Sequence, residues 1–392
     1  MSDRFDFLSR QLDDIRRDGA FRSLVARRHE AMTVIQNGQK LVNFGSNDYL
    51  GLGSSRFYDR VSHGSDENMT SGAGASALVS GFTSLHDELC SSLVLLEQTE
   101  AAVVFPSGYA ACSGTVATLP GRNDLLLSDA LNHASLIDGC RLSPATRHIY
   151  RHGDVSHLES LLDQHRRHHD QAWIITDGVF GMDGDIAPLD AICDVADRFD
   201  VHVIVDEAHA TGVLGPDGSG ACAEMGVKSR VPIRIGTLSK AIGSHGGFVV
   251  GPRVVIDYLI NRCRPLIFST AGTPASIRMA IDAINVIRTD SSGRIRVRQF
   301  AQALRFQLGE SVAGQNVIAG ANGIPIVPVV LGDNRLVVAA ASRLADAGYF
   351  VPAIRPPTVP QGQARLRISV TAAHSMSEVT GLAEALMRLR AD

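Results

Sequence analysis

The chain has 392 residues, long for a single core, so a large domain with a smaller one beside it is the expected organisation. Its 45% hydrophobic and 20% charged residues are globular proportions, and no apolar run reaches the roughly 18 residues of a membrane span. A formal charge of −4 offers no basic footprint for nucleic acid, which leaves small molecules as the expected partners, with neither nucleic acid nor membrane.

The opening stretch MSDRFDFLSRQLDDIRRDG mixes acids with bases and lacks the uninterrupted apolar core of a secretory signal, so a cytoplasmic protein is expected. From about residue 100 to 250, β-branched runs alternate with longer helical patterns. AAVVF, DLLLS, HIY, WIITDG, VHVIVDE, PIRIGTL and GGFVVG read as strands; GYAACSGTVATL, NHASLIDGCRL, DVSHLESLLDQH and PLDAICDVADRF read as the helices between them. Such alternation predicts an α/β domain with a mostly parallel central sheet. After a long helical stretch around 275–312 come IPIVPVVL, a helix over 334–347, YFVPAI, ARLRISV and a last helix from Ser375, a smaller α+β unit. The expected divisions are an N-terminal arm over 1–45, a large domain over 46–285 and a small domain over 286–392.

Several motifs look informative and are not. The letters DEAH at 206–209 would suit a nucleotide-driven helicase, but no phosphate-binding G-x-x-x-x-G-K-[ST] loop accompanies them. GAGASA at 72–77 satisfies the dinucleotide fingerprint, yet HGSDENMTS before it is no strand. RRHHD at 166–170 closes a helical pattern and reads as a solvated helix end, so no metal site is expected. Cys90, Cys112, Cys140, Cys193, Cys222 and Cys263 stand singly, the pattern of buried small hydrophobes in a reducing compartment.

What remains is Asp206, ending one strand, and Lys240, following another at the same edge of the sheet, where open α/β sheets bind ligands. The pair suits pyridoxal phosphate: the amine holds the aldehyde and the carboxylate keeps the pyridine nitrogen protonated. FPSGYAA runs from a strand into a helix start, where the amides of Gly108 and Tyr109 attract a phosphate. Thr237 and Ser239 flank the lysine with hydroxyl donors, and His133 offers a ring for stacking.

NFGSNDYLG, FPSGYAA, LNHASLIDG, GVFGMDGDIAPL, VDEAHATGVLG, GTLSKAIG, FSTAGTP and RPPTVPQGQARLRISVTAAH follow one another in an order and spacing that resemble the α-oxoamine synthases. These are fold-type I pyridoxal phosphate enzymes, built like aspartate aminotransferase, that join an amino acid to an acyl thioester with loss of carbon dioxide. The resemblance implies that Lys240 carries the Schiff base, Asp206 pairs with the pyridine nitrogen, His133 stacks on the ring and His209 bonds near its phenolic oxygen. It implies that Gly108, Tyr109 and Ser239 hold the phosphate, with Thr270 reaching it from the other subunit of a homodimer with shared sites; Thr237 joins the expected cofactor-binding residues by its place beside Ser239. Arg367 would bind the amino-acid carboxylate, with Arg355, Arg22 and Asn47 touching substrate. IRPPTVPQGQARLR is most similar to the members that condense L-alanine with a pimeloyl thioester, carried by CoA or a carrier protein, in biotin synthesis. Condensation of glycine or serine with another acyl group is the alternative within the family, and a non-catalytic cofactor-binding homologue the alternative outside it. Two positions depart from the family pattern: Gly181 stands where relatives carry serine, and Ala77 where many carry a larger polar residue.

Overall fold

The computed structural model describes residues 4–30, 32–54, 57, 71–313 and 323–389. Among these, residues within 47–181 and 185–297 form one compact unit, and those within 1–46, 182–184 and 298–389 the other. The second boundary thus falls inside the helix Ser292–Ala313, whereas the sequence reading drew it at 285/286.

Near the N-terminus, β1 (Arg28–Glu30), β2 (Thr33–Gln36) and β3 (Gln39–Asn43) pair antiparallel. The turn from β2 to β3 is made by Asn37 and Gly38, both at positive φ, the backbone that a two-residue hairpin turn demands and that Asn-Gly tolerates.

The larger unit is organised on seven strands: β4 (Ala101–Phe105), β5 (Leu125–Asp129), β6 (Thr146–Tyr150), β7 (Ala172–Asp177), β8 (His202–Asp206), β9 (Ile233–Thr237) and β10 (Gly247–Gly251). Their spatial order is β4-β10-β9-β8-β7-β5-β6. Only β10 runs against its neighbours, so the other six point their carboxyl ends to one edge. Every residue of β5, β7, β9 and β10 is buried. That explains why these strands read as continuous apolar runs rather than alternating ones: both faces of such a sheet are covered. Each fully buried Val, Leu or Ile contributes about 1.5–3 kcal/mol of transfer free energy, which makes this sheet the rigid platform for whatever its edge carries.

Helices follow the strands at the expected places. Gly108–Thr118 is capped by Ser107, whose Oγ accepts the Ala110 N–H, and Val155–His165 by Asp154, whose carboxylate accepts the His157 N–H. Ala134–Leu142 is capped by His133 itself. GAGASA leads into a π-helical turn, Ala77–Gly81, not the α-helix a dinucleotide site would need. The stretch expected to be helical over 275–312 is two helices, Pro274–Thr289 and Ser292–Ala313, and Gly309 at φ 53° interrupts the second.

The smaller unit carries β11 (Ile326–Gly332), β12 (Tyr349–Phe350), β13 (Ala353–Ile354) and β14 (Ala364–Ser369). β11, β14 and β13 form an antiparallel sheet in that order, while β12 pairs parallel with β3, which is why the N-terminal strands belong to this unit. Phe44, Val327, Leu366, Ile368 and Leu382 pack in its core.

Candidate active site

Lys240 lies in the return from β9 to β10. That return is held closed by backbone bonds from Leu238 N to Gly246 O at 3.0 Å, Ser244 N to Leu238 O at 2.7 Å and Gly243 N to Lys240 O at 2.8 Å. Thr237 Oγ lies 2.8 Å from Ser239 Oγ and donates to Gly246 O at 3.0 Å, so the hydroxyls expected beside a phosphate are preset by the strand end. The Lys240 amine is half-buried, and its Nζ lies 2.9 Å from His209 Nε2. On the other side of that imidazole, Nδ1 is 2.7 Å from the hydroxyl of Tyr49, and Tyr49 in turn donates to Asn47 Oδ1 at 3.2 Å. Asn47, expected to touch substrate, is therefore also the far end of a line that ends on the lysine.

Asp206 closes β8, and its two oxygens are held separately: Oδ1 accepts the Ala208 N–H at 2.9 Å, and Oδ2 accepts the Cys112 thiol at 3.1 Å. Register pairing sets Asp177, the last residue of β7, directly beside Asp206. Burial, with the neighbouring Asp206 charge adding to it, pushes the Asp177 carboxyl well above the usual carboxylate range. Asp177 Oδ2 accepts the His133 N–H at 2.7 Å, and its own N–H donates to Asn132 Oδ1 at 3.0 Å. Asp177 thus fixes the backbone of His133. The His133 side chain is exposed, with Nδ1 2.7 Å from Ser135 Oγ. Partial desolvation draws its pKa below the ordinary histidine value; Asp206 opposes this and Lys240 adds to it.

The helix start at Gly108 presses against the end of β9. A Cβ on Gly108 would stand 3.0 Å from Thr237 Cβ and Oγ, and one on Gly247 would stand 2.6 Å from Gly108 Cα. Glycine at both positions lets the amide-bearing first turn approach the lysine strand, the arrangement that binds anions at helix N-termini. Tyr109 contributes only its backbone there, because its exposed side chain bonds to Asp138. Thr270 is exposed and bridges to Ser76, next to Ala77.

These residues fit pyridoxal phosphate: an amine, a buried carboxylate on the adjacent strand, an accessible imidazole, and a glycine-cleared helix N-terminus flanked by two hydroxyls. Residues 39–386 match the family described as aminotransferase class I and II. The chain belongs to that family. It is 41% identical to 8-amino-7-oxononanoate synthase from Lysinibacillus sphaericus over 382 residues, 97% of this chain and 96% of that protein. A variant serine palmitoyltransferase from S. paucimobilis, solved with a bound PLP–myriocin aldimine, superposes with a TM-score of 0.90 at 28% identity, covering 99% of this chain and 98% of that one. The 8-amino-7-oxononanoate synthase from Francisella tularensis gives a TM-score of 0.71 at 25% identity, covering 89% of this chain and 97% of that one. The resemblance to the α-oxoamine synthases read from the motifs therefore holds, and so does the fold type expected from it.

Three arginines expected at substrate lie in the smaller unit. Arg367 is buried on β14 and its Nη1 donates to Ser369 Oγ at 2.8 Å. Arg355 Nη1 donates to Gly19 O at 2.7 Å, and Arg22 Nη2 donates to the carbonyls of Arg355 at 3.1 Å and Pro356 at 2.8 Å. Burial, together with the Arg22 charge, lowers the pKa of Arg355. Among the described residues no group of three or more His, Cys, Asp or Glu is gathered as for a metal, and no helix is long and apolar enough to cross a membrane.

Sequence reasoning missed Tyr49, Cys112, Asn132 and Asp177. For Asp177 the signal was present: WIITDG ends in an aspartate at the same sheet edge as VHVIVDE. For Cys112 there was none, since a lone cysteine in a helix reads as a core hydrophobe. Glu207, the second letter of DEAH, is structural: its carboxylate accepts the Ala221 and Cys222 N–H groups at 2.7 and 2.8 Å.

Proposed function

We propose that this chain is a pyridoxal phosphate-dependent acyltransferase that condenses L-alanine with a pimeloyl thioester, giving 8-amino-7-oxononanoate, carbon dioxide and the free thiol. The observation that carries the proposal is the meeting of Lys240 and His209 at the sheet edge that Asp206 also occupies, in a chain that is 41% identical to an 8-amino-7-oxononanoate synthase over 97% of its length.

When bound, the cofactor supplies an aldehyde for amines and an electron sink for negative charge at the substrate α-carbon. The chain's part follows from its own atoms. Lys240 Nζ is the amine that would hold the aldehyde covalently and, when released, the base for the α-proton. Asp206, its oxygens already oriented by Cys112 and Ala208, would keep the pyridine nitrogen protonated. His133 would cover the ring, while Gly108, Tyr109, Thr237 and Ser239 would hold the phosphate. Arg367 would grip the amino-acid carboxylate with the planar fork that suits it, with Arg355 and Arg22 nearby in sequence-implied substrate roles.

We also place the reaction in the cytoplasm and in a homodimer whose Thr270 reaches the partner's phosphate site. Exposed apolar side chains support the dimer: Leu142 and Phe268 are each 71% exposed, and both line one groove with Tyr258. Light scattering should read twice the chain mass.

Borohydride reduction of the cofactor-loaded protein, followed by peptide mapping, tests the central assignment: the tag is expected on Lys240, and Lys240→Ala should abolish both tag and turnover. Turnover retained by that variant overturns it. A serine-using synthase of the palmitoyltransferase kind is the second reading, favoured by its higher structural similarity. Rates for alanine, glycine and serine against pimeloyl and longer acyl thioesters separate the two.

A further inference from the structure

The ladder between β5 and β7 ends at Ser128 and Ile175, and beyond it Asp129 pairs with β6 alone. β7 is then left with the Ile175 carbonyl and the Asp177 N–H to satisfy on the side that β5 has quit. The buried Asn132 carboxamide takes both: Nδ2 donates to Ile175 O at 2.8 Å, and Oδ1 accepts the Asp177 N–H at 3.0 Å. A residue of a parallel partner strand would make the same two bonds with its own peptide groups, so one side chain prolongs the ladder by a step. The roles are fixed, because a backbone carbonyl only accepts and a backbone N–H only donates. The second Nδ2 hydrogen goes to Ser128 Oγ at 3.0 Å.

Asp177 returns the bond to the next residue. Its Oδ2 accepts the His133 N–H at 2.7 Å, while the His133 carbonyl accepts the N–H groups of Leu136 and Ile137 at 2.9 and 3.1 Å, the first turn of the helix Ala134–Leu142. Both backbone polar groups of His133 are thereby tethered. Its side chain is exposed, so the place of the imidazole is set chiefly by the backbone that carries it. Charge is the other consideration. Asp177 and Asp206 are buried and level on adjacent strands, which lie about 4.8 Å apart, and two carboxylates so placed do not both ionise readily. Asp206 has a donor at each oxygen, and burial with that neighbour holds the Asp177 carboxyl well above the usual range. Accepting the His133 N–H needs only an oxygen lone pair, which a neutral acid keeps.

We infer that Asn132 and Asp177 are positioning residues for His133: their two clasps tie the loop between β5 and the helix Ala134–Leu142 to the end of β7, and Asp177 serves as an acceptor, not as a charge. This rests on the reading of His133 as the residue that covers the cofactor ring. The two aspartates at this sheet edge then divide the work. Asp206 carries the charge, and Asp177 holds the loop.

The test follows the His133 amide by hydrogen–deuterium exchange, read by fragmentation mass spectrometry, in the cofactor-free protein. The wild type is expected to protect it. Asp177→Ala should speed its exchange roughly tenfold, the scale of one lost hydrogen bond, and Asp177→Asn, which keeps an acceptor without the charge, should restore the protection. Asn132→Ala should do the same to the Asp177 amide. In the loaded enzyme Asp177→Ala and Asn132→Ala should alter the cofactor's visible circular dichroism and lower kcat roughly tenfold, with the KM for amino acid changed less than about twofold, and Asp177→Asn should recover most of the loss. A wild-type His133 amide that exchanges as fast as an unstructured one overturns the inference, whether or not the variants fold. So does an Asp177→Asn protein as impaired as Asp177→Ala, or an Asp177→Ala protein with unchanged exchange and kcat. Borohydride tagging at a residue other than Lys240 would instead sink the functional reading and leave the clasps to be judged by exchange alone.

Discussion

Replacing Cys112 with alanine removes the thiol that meets Asp206 Oδ2 at 3.1 Å, in a side chain only 2% exposed. Burial first, and then the Asp206 charge, pushes the thiol pKa well above its ordinary value, so the sulfur keeps its hydrogen and remains a donor. Hydrogen bonds to charged groups contribute about 1.5–3 kcal/mol, but a thiol is a weak donor, and about 1 kcal/mol is the fair figure here. The sulfur's volume, left empty in a packed core, costs about another 1 kcal/mol. Cys112→Ala should therefore destabilise the larger unit by about 2 kcal/mol, and Cys112→Ser, which keeps a donor, by about half as much. The chain's single tryptophan, Trp173, lies buried in β7 of that unit, so its fluorescence during urea unfolding of the cofactor-free protein reports the right transition. Cofactor affinity should fall in the same order, because Asp206 loses one of its two anchors. An alanine variant as stable as wild type, or a serine variant as damaged as the alanine one, would refute the role given to the thiol.

Asp206→Asn should leave the protein folded but cut turnover on the order of a hundredfold, and relieve the charge that raises Asp177; circular dichroism beside steady-state rates checks both. Arg367→Ala should raise the KM for amino acid sharply while the cofactor's absorbance stays, a split read from saturation curves and a spectrum. His152 supplies a pH dependence: burial lowers its pKa, but Asp129 and Asp185, at 3.0 and 2.9 Å, override this and carry it to about 10. A folded-state value above the unfolded one stabilises fully below about 6.5 and is lost as pH rises through about 10, so unfolding midpoints should fall across that window and His152→Gln should flatten the decline.

The sheet was legible because several of its strands are buried on both faces: DLLLS, WIITDG and GGFVVG advertise themselves by their apolar content. The N-terminal hairpin was not, since its alternation spans only a few residues, although Asn37-Gly38 marks its turn. At the site, Lys240, Asp206 and the helix start at Gly108 could be read from their places after strands. What escaped were groups that act through another side chain. Tyr49 is 160 residues from His209 and Cys112 is 94 from Asp206, and no local pattern encodes a contact at that distance. Asp177 escaped for a different reason: its meaning lies in being level with Asp206, and register between strands is a property of the folded sheet.

The place of β10 bears on how the protein comes to be made. β9 and β10 are joined by the short return that holds Lys240, so the lysine loop can close early and locally. The helix start proposed to hold the phosphate follows β4, which pairs with β10 across some 140 residues of intervening chain. Closing so long a loop is slow, so a nascent chain, which acquires the helix start at Gly108 well before Lys240, keeps the two apart until β10 pairs with β4. Vitamin loading is thereby reserved for molecules whose large sheet has been completed.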